Sequence, residues 1–257
     1  MEVVANKKPY VKRLQRDSSQ AIRLGVQSAF LILNLWIGAQ FLLFVRAYEQ
    51  GLTPSVSRPP GVEGYLPIAG LMNLKYWLLT GDVPLMHPAA MFLIAAFLVI
   101  SLLFRKAFCG WLCPVGTLSE YLWKAGRSMF RRNFQLPRWL DVGLRSLKYV
   151  LLGLFLYAVG SMGPIAIRAF LESPYGVVAD VKMLNFFRYL SVTSAVVIAL
   201  LMFASVFVRN FWCRYLCPYG ALMGLASLLS PLRIRRVPDK CIDCAKCAKA
   251  CPSGLKV

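Results

Sequence analysis

The residues best able to do chemistry in this 257-residue chain are its eight cysteines, which fall into motifs. Cys241, Cys244, Cys247 and Cys251, followed by Pro252, spell C-x-x-C-x-x-C-x-x-x-C-P. Three thiolates that close together, in a loop of small residues, can wrap three corners of one cubane. The proline then turns the chain away, and the fourth thiolate of such a run normally reaches a second cluster. Zinc sites usually set one C-x-x-C against a distant second pair, so this run favours a [4Fe-4S] cluster over zinc. Two further pairs, Cys109 with Cys113 and Cys213 with Cys217, repeat the last third of the run as C-x-x-x-C-P. One such pair would suit buried structural thiols; two copies upstream of a ferredoxin-type run point to ligands. Eight thiolates make two sets of four, hence two [4Fe-4S] clusters. Their pairing stays open. Cys241, Cys244, Cys247 and Cys251 could share one cluster and the other four a second. A crossover, as in two-cluster ferredoxins, is slightly favoured, because C-x-x-x-C-P there serves two clusters.

Other catalytic material is scarce. There is no nucleotide-binding glycine pattern, no phosphate loop and no nucleophile with a matching base. His87 is the only histidine, whereas a haem relay would usually want two axial ligands on facing helices. A hydrogen bond to a quinone head group is the alternative role for His87, shared with Arg58, Lys75 and Asp82 of the same loop. Electron transfer asks for no acid-base machinery at all.

The elements that must position these thiols are those of a membrane protein. With 58% hydrophobic and 16% charged residues and a mean hydropathy of +0.58, the chain is too apolar for an ordinary soluble domain. Four runs lack Asp, Glu, Lys and Arg: Leu24 to Val45, Val83 to Phe104, Tyr149 to Ile167 and Tyr189 to Val208. Crossing a bilayer takes about 20 such residues, so the expected fold class is all-α integral membrane with four transmembrane helices. An offset of 104 residues superposes Ser101 on Ser205, Arg105 on Arg209, Cys109 on Cys213, and Cys113-Pro114 on Cys217-Pro218. The four spans should therefore form two repeated hairpins, each delivering a cysteine motif to the same membrane face. The expected division is a basic tail at 1–23, a membrane domain at 24–208 with its motif loop at 105–148, and a cysteine-bearing tail at 209–257. Leu118, Tyr121, Leu122, Ala125 and Met129 recur at helical spacing and predict an amphipathic helix on the inner leaflet. Ala221 to Leu229 reads as a surface or re-entrant helix, and Leu66 to Leu79 as an interfacial segment.

The formal charge of +19 would suit a nucleic-acid binder only if it were spread over a binding face. Instead the tail to Arg23, the segment Arg105 to Lys148 and the segment after Val208 hold 24 basic and six acidic residues. The two remaining connections are nearly neutral. Such segregation is a topology signal that puts both termini and all eight cysteines on the cytoplasmic side of the inner membrane, with no nucleic acid involved. Thiols there are kept reduced, which disfavours disulfides and suits ligands. The first 23 residues are polar and basic, so no cleavable signal peptide is expected and Leu24 to Val45 should remain as a helix.

Taken with the ferredoxin run, F-C-G-W-L-C-P-V-G-T-L and F-W-C-R-Y-L-C-P-Y-G-A-L-M-G resemble the NapH, NosR and CcoG group of polyferredoxin-like membrane proteins. The resemblance covers residue 20 to the end. It implies a quinol dehydrogenase or electron conduit with cytoplasmic clusters, bound by Cys109, Cys113, Cys213, Cys217, Cys241, Cys244, Cys247 and Cys251. Its expected partners are membrane lipid, the quinone pool, and either a ferredoxin-type subunit or a periplasmic reductase. Family members commonly carry a second ferredoxin run, so a partner that completes the ferredoxin fold, or a shortened chain, is expected. The likeness to CcoG implies a rival role, reduction of copper or iron during assembly of an oxidase. A simple membrane anchor with dispensable clusters is the third reading.

Overall fold

The computed structural model describes residues 18–130 and 136–232. Cys241, Cys244, Cys247 and Cys251 lie outside them. The described chain is helical throughout. Helix α1 (Ser19–Glu49) is followed by a 3-10 turn (Pro60–Tyr65), α2 (Pro67–Thr80), α3 (Pro88–Phe104), a π-helical turn (Phe108–Leu112) and α4 (Pro114–Phe130). Then come α5 (Arg138–Ser161), α6 (Pro164–Leu171), α7 (Pro174–Val177), α8 (Ala179–Arg188), α9 (Val192–Phe207), α10 (Phe211–Tyr215), α11 (Pro218–Ala226) and a 3-10 turn (Ser227–Leu229).

Proline at the first helical position starts α2, α3, α6 and α11, where its missing N–H is no loss and its fixed φ suits a helix. The expected spans move accordingly. The second begins at Pro88 rather than Val83, because His87 stands in the left-handed region (φ 54°) just before it. The third begins eleven residues early, at Arg138, and stops at Ser161, ahead of Gly163 and Pro164. Lys75 from α2 caps its end, donating to the carbonyls of Val159, Gly160 and Met162 at 3.0, 2.8 and 2.6 Å. The fourth begins at Val192, where Ser191 Oγ accepts from Ser194 N, and α8 meets α9 at a bend of 82°.

Among the described helices, α1 and α5 are long and apolar enough to cross a membrane, and α8 with α9 makes a third candidate if counted as one broken span. At about 1.5 Å per residue, the 17 residues of α3 and 16 of α9 reach only about 25 Å, short of a hydrocarbon core of about 30 Å. Large apolar side chains face outward, among them Leu35, Trp36, Phe92, Tyr157 and Phe203. Water would not tolerate so continuous an apolar girdle, and lipid does.

The repeat is visible in the packing. Helix α4 of the first half lies on α9 of the second, and α11 of the second lies on α3 of the first. The long helices match in the same way, with α1 against α4 and the π-turn, and α5 against α11 and α10. A Cβ on Gly126 would come within 2.2 Å of Val206 O, so α4 can approach α9 only because that residue is glycine. At the position 104 residues on, Ser230 Oγ donates to Leu103 O (3.0 Å) at the end of α3. Helix α4 exists as expected but does not simply lie on a surface. Gly116, Thr117, Ser119, Glu120, Trp123 and Gly126 form its buried face, and the apolar residues Leu118 and Met129 point outward. Likewise α2 is no loose interfacial segment. It packs on α3, with Gly70 so placed that a Cβ would meet Ala90 O at 2.8 Å.

Candidate iron-sulfur site

Each C-x-x-x-C-P element folds the same way. Cys109 sits in the π-helical turn and Cys213 in α10, and each element closes with an i to i+5 bond, Cys113 N to Phe108 O and Cys217 N to Trp212 O, both 3.0 Å. Cys113 and Cys217 then stand immediately before Pro114 and Pro218, at the N-termini of α4 and α11. Gly220 N donates to Cys217 Sγ at 3.2 Å, and the amides of Val115 and Gly116 bond Cys113 in the same way. Free N–H groups at a helix start attract negative charge, so these amides offset part of the cost of burying a thiolate there. Gly116 is required by space, since a Cβ there would lie 2.5 Å from Cys109 O.

The exchange of α4 and α11 between the halves brings Cys109, Cys113, Cys213 and Cys217 within electrostatic reach of one another. Burial pushes the Cys109 thiol up to about 12, with Cys113 and Cys217 adding to the shift. Burial likewise raises Cys113, Cys213 and Cys217, while the backbone amides act against it at Cys113 and Cys217. Among the described residues no three His, Cys, Asp or Glu side chains stand close enough to hold a single ion. A tetrahedral zinc would need its sulfurs about 3.8 Å apart, from Zn–S bonds of about 2.3 Å. The four cysteines lie within electrostatic reach of one another and main-chain amides are aimed at two of their sulfurs, a donor set that suits an anionic iron-sulfur cluster.

Two carboxylates, the buried Glu120 and the half-buried Asp141, tie the turns to the long helices. Glu120 of α4 pairs with Arg23 of α1 and accepts from Gln27 Nε2 (3.1 Å), which also donates to Gly110 O (2.9 Å) in the first turn. Asp141 of α5 accepts two bonds from Arg214 (3.0 and 2.9 Å) and one from the buried Tyr215 hydroxyl (2.5 Å), both between Cys213 and Cys217. Phe97, Phe108 and Tyr219 form an aromatic wall beside the thiols, with Phe97 and Phe108 stacked at 4.1 Å. Sequence reasoning passed over Glu120, Asp141 and this wall. Glu120 and Asp141 are the only acidic residues between Arg105 and Lys148, which was the available signal.

The chain matches the 4Fe-4S binding domain family twice, over residues 86–137 and 190–236, so that each match contains one C-x-x-x-C-P turn. A second 4Fe-4S binding domain model covers 234–255. The chain is 55% identical over 236 residues to YccM of Escherichia coli, provisionally named an electron transport protein, covering 91% of this chain and 66% of that one. It belongs to the NapH- and NosR-like ferredoxin-type membrane proteins. The regulatory protein NosR of Pseudomonas aeruginosa is 32% identical over 73% of this chain and 26% of its own length. The ferredoxin-type protein NapH of Haemophilus influenzae is 26% identical over 65% of this chain and 55% of its own. The chain thus spans just under two thirds of YccM and less of these NapH- and NosR-type relatives. No solved structure matches it. The matched models are 4Fe-4S binding domains, and apolar helices long enough to cross a membrane lie among the described residues.

The expected quinone ligands are not assembled. His87 is 3% exposed and both ring nitrogens are taken: Nδ1 lies 2.9 Å from Arg58 Nη2, and Nε2 2.9 Å from Gly176 O. Arg58 also pairs with Glu63 (3.1 Å) and Asp180 (2.8 Å), and Lys75 caps α5. Asp82 alone remains outside these contacts, on the rim of a cleft of about 220 Å³ with Tyr76, Met86, Arg168 and Glu172. Arg58 and His87 instead join the two halves at the end away from the cysteines.

Proposed function

We propose that the protein passes electrons between the quinone pool or a cytoplasmic donor and a partner reductase through two [4Fe-4S] clusters. Cys109, Cys113, Cys213 and Cys217 would hold one, and Cys241, Cys244, Cys247 and Cys251 the other. The observation that carries this is the convergence of the two C-x-x-x-C-P turns, with main-chain N–H groups aimed at two of their sulfurs. Four thiols already gathered favour this pairing over the crossover.

The clusters, when bound, supply one-electron chemistry. The amides at Cys113 and Cys217 would stabilise the added negative charge, the Phe97–Phe108–Tyr219 wall would keep water away, and Glu120 and Asp141 would hold the turns in place. Oxidation of one quinol to quinone releases two electrons and two protons, and two one-electron clusters held by these eight cysteines would have the capacity for both electrons. The charge segregation supports four crossings, α3 and α9 being the shorter two, with both termini cytoplasmic in the inner membrane.

Anaerobic purification in lipid, with iron and sulfide counted per chain and EPR recorded during quinol addition, tests the reading. About eight iron with quinol-dependent reduction is expected. Cys109→Ser and Cys241→Ser should each lose about four iron and a different EPR signal. Zinc, no metal, or loss of both signals from either variant overturns it.

A further inference from the structure

Helix α1 carries a polar pair near its middle. Asn34 stands eleven residues from Arg23, whose pair with Glu120 lies at the cysteine end, and fifteen from Glu49, which pairs with Arg188 (2.8 Å) at the other. At about 1.5 Å per residue those separations are about 16 and about 22 Å, so Asn34 sits near the centre of a bilayer. There its Oδ1 accepts the Tyr65 hydroxyl at 2.6 Å. Tyr65 ends the 3-10 turn that reaches this depth from the far end: a Cβ on Gly61 would meet Ile37 at 2.9 Å, and one on Gly64 would meet Leu93 at 3.4 Å. Helix α2 then climbs back, with Gly70 against Ala90 and Asn73 donating to His87 O (2.9 Å). Chain outside regular α-helix is tolerated at membrane depth where protein buries it or where it lines a cavity, and polar side chains there mark ligand paths. This pair is not sealed in. Tyr65 is 40% exposed, and among the described elements α1 rests on the 3-10 turn, α4 and the π-turn, with α3 not among its main neighbours.

We propose that Asn34 and Tyr65 bind the head group of a membrane quinone that enters from lipid beside α1. The inference rests on the quinone-pool reading and supplies the site that His87, Arg58 and Lys75 do not form. The pair suits both forms of such a ring. A quinone carbonyl accepts from the Tyr65 hydroxyl, and a quinol hydroxyl donates to Asn34 Oδ1 when the tyrosine turns away. The Asn34 amide donates back to Phe30 O (2.7 Å), which holds Oδ1 in place. The thiols are near. Gln27, two turns along the same face of α1 and about 10 Å away, donates to Gly110 O beside Cys109 (2.9 Å). Phe97, one turn beyond Leu93, stacks on Phe108, the residue before Cys109. The cleft at Asp82, by contrast, lies before the start of α3, a full helix length of about 25 Å from the cysteines.

The test uses the full chain with its iron, in lipid, with duroquinone as ligand and duroquinol as reductant. Duroquinone binding is read from quenching of tryptophan fluorescence and quinol-driven reduction from EPR, while dithionite reports on the clusters alone. Tyr65→Phe and Asn34→Leu should each weaken duroquinone binding and raise the duroquinol KM about tenfold, the worth of one hydrogen bond in a site without water. Iron content and reduction by dithionite should match wild type in both. Tyr157→Phe, on the exposed face of α5, should change nothing. If Asn34→Leu fails to accumulate, Tyr65→Phe, which keeps the ring, decides. Wild-type binding and KM in the variants overturn the site while leaving quinol oxidation intact elsewhere on the chain. Lost iron, or equal slowing with dithionite, shows a packing role and overturns it as well. A wild type that dithionite reduces and duroquinol does not overturns the quinone reading, and the site with it.

Discussion

Glu120 shows how a single carboxylate can hold the first cysteine turn. It is 4% exposed and satisfies Arg23, Lys124 and Gln27 together, two of them on another helix. Burial alone would raise its carboxyl, but Lys124, Gln27 and Arg23 outweigh burial and hold it below the ordinary range. A carboxyl depressed in the folded state contributes stability that is complete above its unfolded pKa, about 4.3, and is lost as pH falls through the lower folded value. The melting temperature should therefore fall more steeply below pH 4 in wild type than in Glu120→Gln. At pH 7 the substitution should cost about 3 kcal/mol, because it leaves the Arg23 guanidinium buried beside a neutral amide. A melting curve unchanged at pH 7 would show that the pair is solvated. The C-x-x-x-C-P turns stand out in the sequence because their spacing is local. Glu120 and Asp141 do not, because their roles depend on which helix the fold sets opposite them.

Helices that stop short organise the site. The charge-free runs report which residues lipid accepts, and this located the apolar segments correctly. They carry no information on where hydrogen bonding starts, so their edges missed Pro88, Arg138, Ser161 and Val192. The amphipathic pattern of α4 was also real, yet its apolar stripe points outward and its small residues meet the protein, as in membrane helix packing. Gly126 decides that contact. In Gly126→Ala the new methyl would collide with Val206 O, push α4 off α9 and shift Cys113 at the start of α4. We expect a loss of about 1–3 kcal/mol in stability and a lower iron content. Gly153→Ala, in helix α5 with nothing within 4 Å of the new Cβ, should keep its iron and gain up to about 1 kcal/mol from helix propensity. Equal losses in both would show that the close approach of α4 and α9 does not matter.

Across the whole molecule the two halves are joined at both ends, by the exchanged helices α4 and α11 at the cysteines and by Arg58 with Asp180 and His87 with Gly176 at the other end. The 104-residue repeat made the first junction legible. The second was hidden, because Arg58 and Asp180 are 122 positions apart and lie in loops that look merely neutral in charge. If the far junction helps to hold the halves in register, breaking it should loosen a cluster that it never touches. Arg58→Met leaves Asp180, 2% exposed, without its cation; because the Arg58 side chain is 36% exposed and solvent screens the pair, the cost should be about 1–2 kcal/mol. Iron bound to Cys109, Cys113, Cys213 and Cys217 should then be lost to a chelator several-fold faster, with iron in the freshly purified protein unchanged. Removing both charges in Arg58→Met with Asp180→Leu leaves no buried carboxylate without a cation, so the double variant should recover most of the retention. Glu63 keeps Ala90 N (3.0 Å) and the His87 ring in both variants, so the start of α3 stays capped and the comparison isolates the contact between halves. Chelation rates that match wild type in the single variant would mean that the cysteine end holds its geometry alone, through α4 and α11.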